Sequence, residues 1–275
     1  MTFSIVATDG AAYGVAVASK FLAVGAVVPG ARHGVGAVAT QSFAKVSYIA
    51  DLLDALSDGE SAGAALARLT AADERREERQ VGVVGPTDEA TYTGSECTTW
   101  AGGVTGRSGA TAYAIQGNVL TGPDVVRSME RAWVAADGEP FTRRLVTALL
   151  AGDAAGGDRR GRQSAALYAV RAGAGYDASG VLADLRVDDH AQAPAELARL
   201  VDLAELYFGG PEDVQPLAGP LADEVRTRLA SLGRHRASLA EDLADWAGEV
   251  NLEMRLSRDG IDRRVLEELR RSTTA

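Results

Sequence analysis

Position 2 carries the residue with the most direct route to chemistry. Thr2 follows Met1, and an initiator methionine before so small a side chain is commonly removed after synthesis. Removal leaves one residue holding both a β-hydroxyl and a free α-amine. That amine, with a free pKa of about 8, can take the proton of its own hydroxyl, so no separate histidine is needed. Read by itself, Thr2 is most simply an ordinary first residue.

Other polar groups have narrower uses. Asn118, in Gly117-Asn118, offers a side-chain amide to an oxyanion; the alternative is a turn residue in the left-handed conformation. Asp158 with Arg159, Arg160 and Arg162 follows a Gly-Gly pair. The guanidinium forks suit a substrate carboxylate, and surface charge after a glycine-rich turn is the other reading. Asp188-Asp189-His190 has the ligand types of a metal site, but adjacent strand residues point alternately and do not converge without a bend. A strand-terminal cap is preferred there, and neither a metal nor a cofactor is expected. His33 and His235 have no nearby Ser or Cys pattern that suggests a triad. Cys97 is the single cysteine, which rules out an internal disulfide and reads as a small buried hydrophobe.

Composition narrows the partners. A net charge of -10 over 275 residues repels polyanions on average, so nucleic acid is not an expected partner. The apolar fraction of 46% is enough for a sizeable core. The longest apolar run, Phe21 to Gly30, is about half of what a bilayer-spanning helix requires. No basic segment followed by an apolar one opens the chain. The expectation is a soluble, cytoplasmic protein without membrane contact, acting on a small molecule and forming a homo-oligomer.

These residues must be positioned by the surrounding elements. Thr2 to Thr8 reads as a strand, Asp9-Gly10 as a hairpin turn, and Tyr13 to Ser19 as an almost continuously apolar second strand. Val35 to Ser42 follows in the same style. Helices are expected over Ser47 to Leu56 and Ala62 to Ala72, the second capped by Ser61. Strands return at Gln80 to Val84, Glu89 to Thr93 and Ala112 to Gln116. Two more helices, Pro123 to Ala136 and Phe141 to Ala151, precede strands at Ser164 to Arg171 and near Val181 to Val187. Strands, two helices, strands, two helices, strands predict an α+β domain, a four-layer αββα sandwich with helices outside two packed sheets. Beyond about residue 190 the chain turns helical and charged. The division expected is a sandwich domain over 1–195 and a small all-helical module over 196–275.

Thr2-Phe3-Ser4-Ile5-Val6-Ala7 and Gly14-Val15-Ala16-Val17-Ala18-Ser19-Lys20 resemble the first hairpin of N-terminal-nucleophile (Ntn) hydrolases such as proteasome subunits. There the nucleophile begins one strand, and the second strand ends in a polar-basic pair, here Ser19-Lys20. Asp158 through Arg171 resembles the late strand of that fold, in which an acid and a serine support the nucleophile's amine. More closely, Met1 to about His190 resembles the family of domain of unknown function 1028, itself similar to Ntn hydrolases. Gly34 to Gln41, Gln116-Gly117-Asn118, Gly156 to Ser164 and Leu185 to His190 carry that likeness beyond the opening hairpin. The tail from about Leu203 to Arg270 resembles the peptidoglycan-binding module found behind this domain; a dimerisation bundle is the other reading of it.

The resemblance implies catalytic roles for Thr2, Lys20, Asn118, Asp158 and Ser164, and substrate contacts from Ser19, Gln41, Arg159, Arg160 and Arg162. One departure stands out. Gln41 occupies the region of the proteasome-type third-strand lysine, so either Lys20 substitutes or the α-amine acts alone. The activity implied is hydrolysis of an amide or related carbon–nitrogen bond in a small anionic substrate. A non-catalytic binding or scaffold protein on the same fold, or a cell-wall-associated one, is the alternative.

Overall fold

A computed structural model describes residues 2–235 and 238–274. Met1, on whose removal the terminal-nucleophile expectation depends, lies outside the described residues. The chain divides into two compact units, Met1–Val201 and Asp202–Ala275.

The first unit is the expected αββα sandwich. One sheet has six strands: β1 (Thr2–Thr8), β2 (Ala12–Ser19), β7 (Trp100–Ser108), β8 (Thr111–Leu120), β9 (Ser164–Arg171) and β10 (Val181–Val187), in the order β10-β9-β2-β1-β8-β7. The other has four: β3 (Pro29–Arg32), β4 (Gly36–Ser42), β5 (Arg79–Val84) and β6 (Glu89–Thr93), in sequence order. Every strand pairing is antiparallel.

The two-residue alternation of a strand decides which side chains meet. On β1, Phe3, Ile5 and Ala7 join the core under α3 (Asp124–Ala135) and α4 (Phe141–Ala154), with Met129, Trp133, Leu145 and Leu149. Val6, on the opposite face, packs between the sheets with Val15, Val17, Ala37, Ala39, Ala112 and Ala114. Tyr48, Leu52, Leu56 and Leu66 of α1 (Ser47–Ser57) and α2 (Ala62–Ala71) cover the outside of the smaller sheet. The Ser61 hydroxyl accepts from the Ala64 N–H and caps α2 as expected.

Two strands have no counterpart in the sequence reading. β3 has only four residues and includes Pro29 and Gly30; β7 carries Gly102, Gly103 and Gly106. Such residues weaken any strand signal, and partners in the ladder supply what propensity does not. β8 also runs past Gln116 to Leu120, which makes Asn118 a strand residue. The left-handed position is its neighbour Val119, at φ 52°.

The second unit begins within α5 (Ala193–Phe208) and continues through α6 (Gly219–Ser231), α7 (Leu239–Glu249) and α8 (Arg263–Ser272). Val225, Leu229, Leu243, Trp246, Val265, Leu266 and Leu269 form its core. Ser238 and Glu241 close a capping box at α7, and Asp262 caps α8. The buried Arg255 donates to the carbonyls of Leu206 and Glu205 at the end of α5, both at 2.6 Å, and to Asp262 at 3.3 Å. Those carbonyls are left unpaired by the end of a helix, and a cation there also favours the helix dipole. Among the described residues no helix is long and apolar enough to cross a membrane.

Candidate active site at the ends of β1 and β8

The polar face of β1 starts with Thr2 and Ser4, both buried between the sheets. The Thr2 hydroxyl lies 3.1 Å from that of Ser19, the last residue of β2. The Thr2 carbonyl accepts from Gln41 Nε2 at 3.3 Å.

Behind these atoms, four buried amides lock the sheets together. Gln116 Nε2 donates to Ser4 Oγ (2.6 Å), and Ser4 Oγ donates to Gln41 Oε1 (2.7 Å). Gln41 Nε2 and Asn118 Nδ2 both donate to Gln80 Oε1, each at 2.8 Å. Gln80 Nε2 donates in turn to the Gly117 carbonyl (2.8 Å) and to Thr93 Oγ1 (2.9 Å). The carbonyl fixes the Gln80 amide, because only its nitrogen can donate there. Asn118 is thereby turned with Nδ2 toward Gln80, and its buried Oδ1 is left with no hydrogen-bond partner among the described residues. An orphaned buried acceptor is costly, about 1–3 kcal/mol. It sits on the residue paired with Thr2 across β1 and β8.

Backbone strain gathers at the same end. Ser42, Ala23 and Val119 have φ of 70°, 52° and 52°, a region that costs non-glycine residues, above all the β-branched valine. Ser42 ends β4 and lines a cavity of about 330 Å³ that opens beside Thr2. Phe21, Val24, Val27, Val28, Phe43 and Ala44 supply its apolar wall, and Arg75 and Arg79 supply its cations.

Asp73 anchors that cationic wall. Its Oδ2 accepts from Arg79 Nε at 3.0 Å and from the Tyr48 hydroxyl at 2.8 Å, and its Oδ1 accepts from the Arg75 N–H. Burial alone would raise the carboxyl pKa, but bonds from Arg79, Arg75 and Tyr48 hold it well below the usual carboxylate range. The same burial and the Asp73 carboxylate push the Tyr48 phenol up.

The remaining expected site residues form a separate cluster. Asp158 accepts from the Lys20 N–H (2.8 Å), the Arg160 N–H (2.9 Å) and the Arg160 guanidinium (3.1 Å). Arg162 donates to Asp153 at 2.6 Å, and Lys20 Nζ reaches the Arg162 carbonyl at 3.3 Å. Arg159 is exposed at the surface. Ser164 Oγ donates to the Phe21 carbonyl and accepts from the Val24 N–H, tying down the loop that walls the Thr2 cavity. A second cavity of about 260 Å³, lined by Ser19, Asp158, Arg162 and Ser164, adjoins this cluster.

The structure thus brings Thr2, Ser19, Gln41 and Asn118 together. Lys20, Asp158, Arg160, Arg162 and Ser164 meet around the 158–164 segment, with Lys20 directed to that loop. Ser4, Gln80, Gln116, Asp73, Arg75 and Arg79 were missed by sequence reasoning. The available signal was an uncharged polar residue recurring in otherwise apolar strands. At the end of β10, Asp189 accepts from Gln163, and His190 Nδ1 accepts from the Gln192 N–H. No group of three acidic, His or Cys side chains suited to a metal occurs among the described residues.

Fold and site define a four-layer α+β protein with a polar, strained strand end facing a small cavity. The chain belongs to the Family of unknown function (DUF1028), whose profile matches residues 2–197. Residues 207–269 match a second profile, "Putative peptidoglycan binding domain". Among solved structures, the chain is similar to protein SPO2555 from Silicibacter pomeroyi, described as a DUF1028 protein. The two are 29% identical with a TM-score of 0.65, and the match covers 81% of this chain and 92% of that one. Comparison with curated proteins finds no match.

The Asp73 hub has a measurable consequence. Asp73→Asn, which leaves the buried Arg79 without its counter-charge, should cost about 3–5 kcal/mol at neutral pH. A carboxyl with a depressed folded-state pKa stabilises above its unfolded value of about 3.9; that stabilisation is lost as pH falls through the folded value. The gap between wild type and Asp73→Asn in denaturant midpoints should therefore be full at pH 7 and narrow below about pH 4. A gap independent of pH would contradict the assignment.

Proposed function

We propose that this protein is a hydrolase of an amide or related carbon–nitrogen bond, with Thr2 as an amino-terminal nucleophile once Met1 is removed. The observation that carries this reading is the placement of Thr2. Its hydroxyl is bonded to Ser19, and the residue is buried at a strand end, lines a cavity, and pairs in register with Asn118, whose Oδ1 is unsatisfied.

In this mechanism the Thr2 hydroxyl attacks the substrate carbonyl while its proton passes to the α-amine. The amine then delivers that proton to the leaving nitrogen as the carbon–nitrogen bond breaks, leaving an ester on Thr2. Water, deprotonated by the same amine, attacks the ester and restores the hydroxyl. Ser19 orients the nucleophile, and Gln41 holds the Thr2 carbonyl. Asn118, one of whose two Nδ2 hydrogens is engaged by Gln80, acts through Oδ1 as the acceptor that orients the α-amine, a role beside the oxyanion contact expected from sequence. Asp158 and Ser164 act at one remove, fixing the segment that follows Ser19.

Intact mass of the native protein should lack the methionine residue. Thr2→Ala should lower turnover of an identified substrate by at least about a thousandfold. Asn118→Asp, placing a carboxylate beside the amine, should raise its pKa by about 1–3 units and move the ascending limb of kcat/KM to higher pH. Retained Met1 in active protein, or full activity in Thr2→Ala, would refute the reading.

A second reading concerns the carboxy-terminal unit alone, and the domain match at residues 207–269 favours it. We propose that this unit binds peptidoglycan. The full chain should co-sediment with purified peptidoglycan, and a chain ending near residue 200 should remain in the supernatant; equal sedimentation of the two would contradict it.

A further inference from the structure

We propose that Arg79 is the anion-recognising group of the Thr2 cavity, so that the amide accepted there carries a carboxylate within reach of its scissile carbonyl. The word amide rests on the reading of Thr2 given above; the recognition of an anion does not.

Arg79 lines the cavity that Thr2 also lines, yet it is only 8% exposed. Nε is spent on Asp73, and Nη1 donates to the Phe43 carbonyl at 2.5 Å. A guanidinium has five N–H donors in a fixed fork. Nη2 makes no hydrogen bond among the described residues, and it is not one of the sealed polar atoms either. Its donors are thus not sealed off, and the cavity that Arg79 lines is the space the proposal assigns to them. Being clamped from behind, the fork loses little freedom when an acceptor arrives.

The surroundings favour an anion. The cavity wall has two guanidinium groups and no carboxylate; the acids that balance them, Asp73 and Glu78, are bonded to Arg79 and Arg75 respectively. Arg75 lies over the Phe43 ring at 5.8 Å, which holds this second cation at the mouth. The chain as a whole carries a net charge of -10, so attraction of an anion to this wall must come from its two guanidinium groups. Phe21, Val24, Val27 and Val28 make the remaining wall apolar. A volume of about 330 Å³ is at the small end of ligand sites. The ligand that fits is a short acyl chain ending in a carboxylate.

The test uses charged and neutral probes of equal length on the whole protein. Succinamate and butyramide are titrated calorimetrically into Thr2→Ala, which keeps the cavity and does not turn over. Succinyl and butyryl p-nitroanilides are offered to the wild type. Binding should favour succinamate by about tenfold or more, weaken with salt, and lose its preference in Arg79→Lys, with a smaller loss in Arg75→Ala. Inorganic phosphate, as a competing probe, should displace succinamate only weakly. Equal affinity for acid and amide, no binding of the acid, or an unchanged preference in a folded Arg79→Lys overturns the proposal. Preferential binding without nitroaniline release refutes Thr2 hydrolysis and leaves Arg79 standing. Equal release from both anilides does the reverse.

Discussion

The hydrogen-bonded chain of amides between the sheets is the constraint on which the site end of the molecule depends. Gln41, Gln80, Gln116 and Asn118 come from β4, β5 and β8, and Ser4 joins them from β1. In a medium of low dielectric such bonds are strong when complete and expensive when one member is missing. The network therefore fixes the register of both sheets at once, since a slip of one residue would send each amide to the opposite face. It also explains a glycine. A Cβ on Gly82 would stand 2.1 Å from Gln116 Oε1, so any side chain there would displace the amide that holds Ser4.

That rigidity lets strain persist beside it. Val119 sits at positive φ directly after Asn118, and Ser42 does so directly after Gln41. Each of these two residues follows an amide of the network, so the cost is set against a bond that relaxation would break. β4 ends at Ser42 on the cavity wall, and β8 runs on through Val119 to Leu120.

Much of this architecture was legible in the sequence. The apolar runs of β1 and β2, the paired helices and the two units of the chain all follow from periodicity and composition. The sandwich required no distant information beyond the order of elements. β3 and β7 were not legible, because Pro29 and the glycines of β7 are held by their partners alone. The site divided in the same way. Thr2 and Asn118 stood out by type, but their pairing is a matter of register between β1 and β8. Asp73 and Arg79 look like two charges in an acidic surface helix region; only the fold buries them and puts one on a cavity wall. Asp158 and its arginines read equally as a binding site or as surface charge, and in the structure Arg160 and Arg162 bond to Asp158 and Asp153.

The neutrality of the amide network bears on the chemistry proposed for Thr2. A buried amine loses basicity through desolvation, and a lysine ammonium beside it would lower its pKa further by repulsion. Gln41 at the third-strand position adds no charge while still holding the Thr2 carbonyl. Asn118 Oδ1 offers a neutral acceptor to whichever protonation state the amine adopts, and a carboxylate there would trap the ammonium form. The carboxylates of this region are engaged by cations of their own, Asp73 by Arg79 and Asp158 by Arg160. In the mechanism proposed for Thr2, an uncharged Gln41 leaves the α-amine to act as base without a lysine at that position.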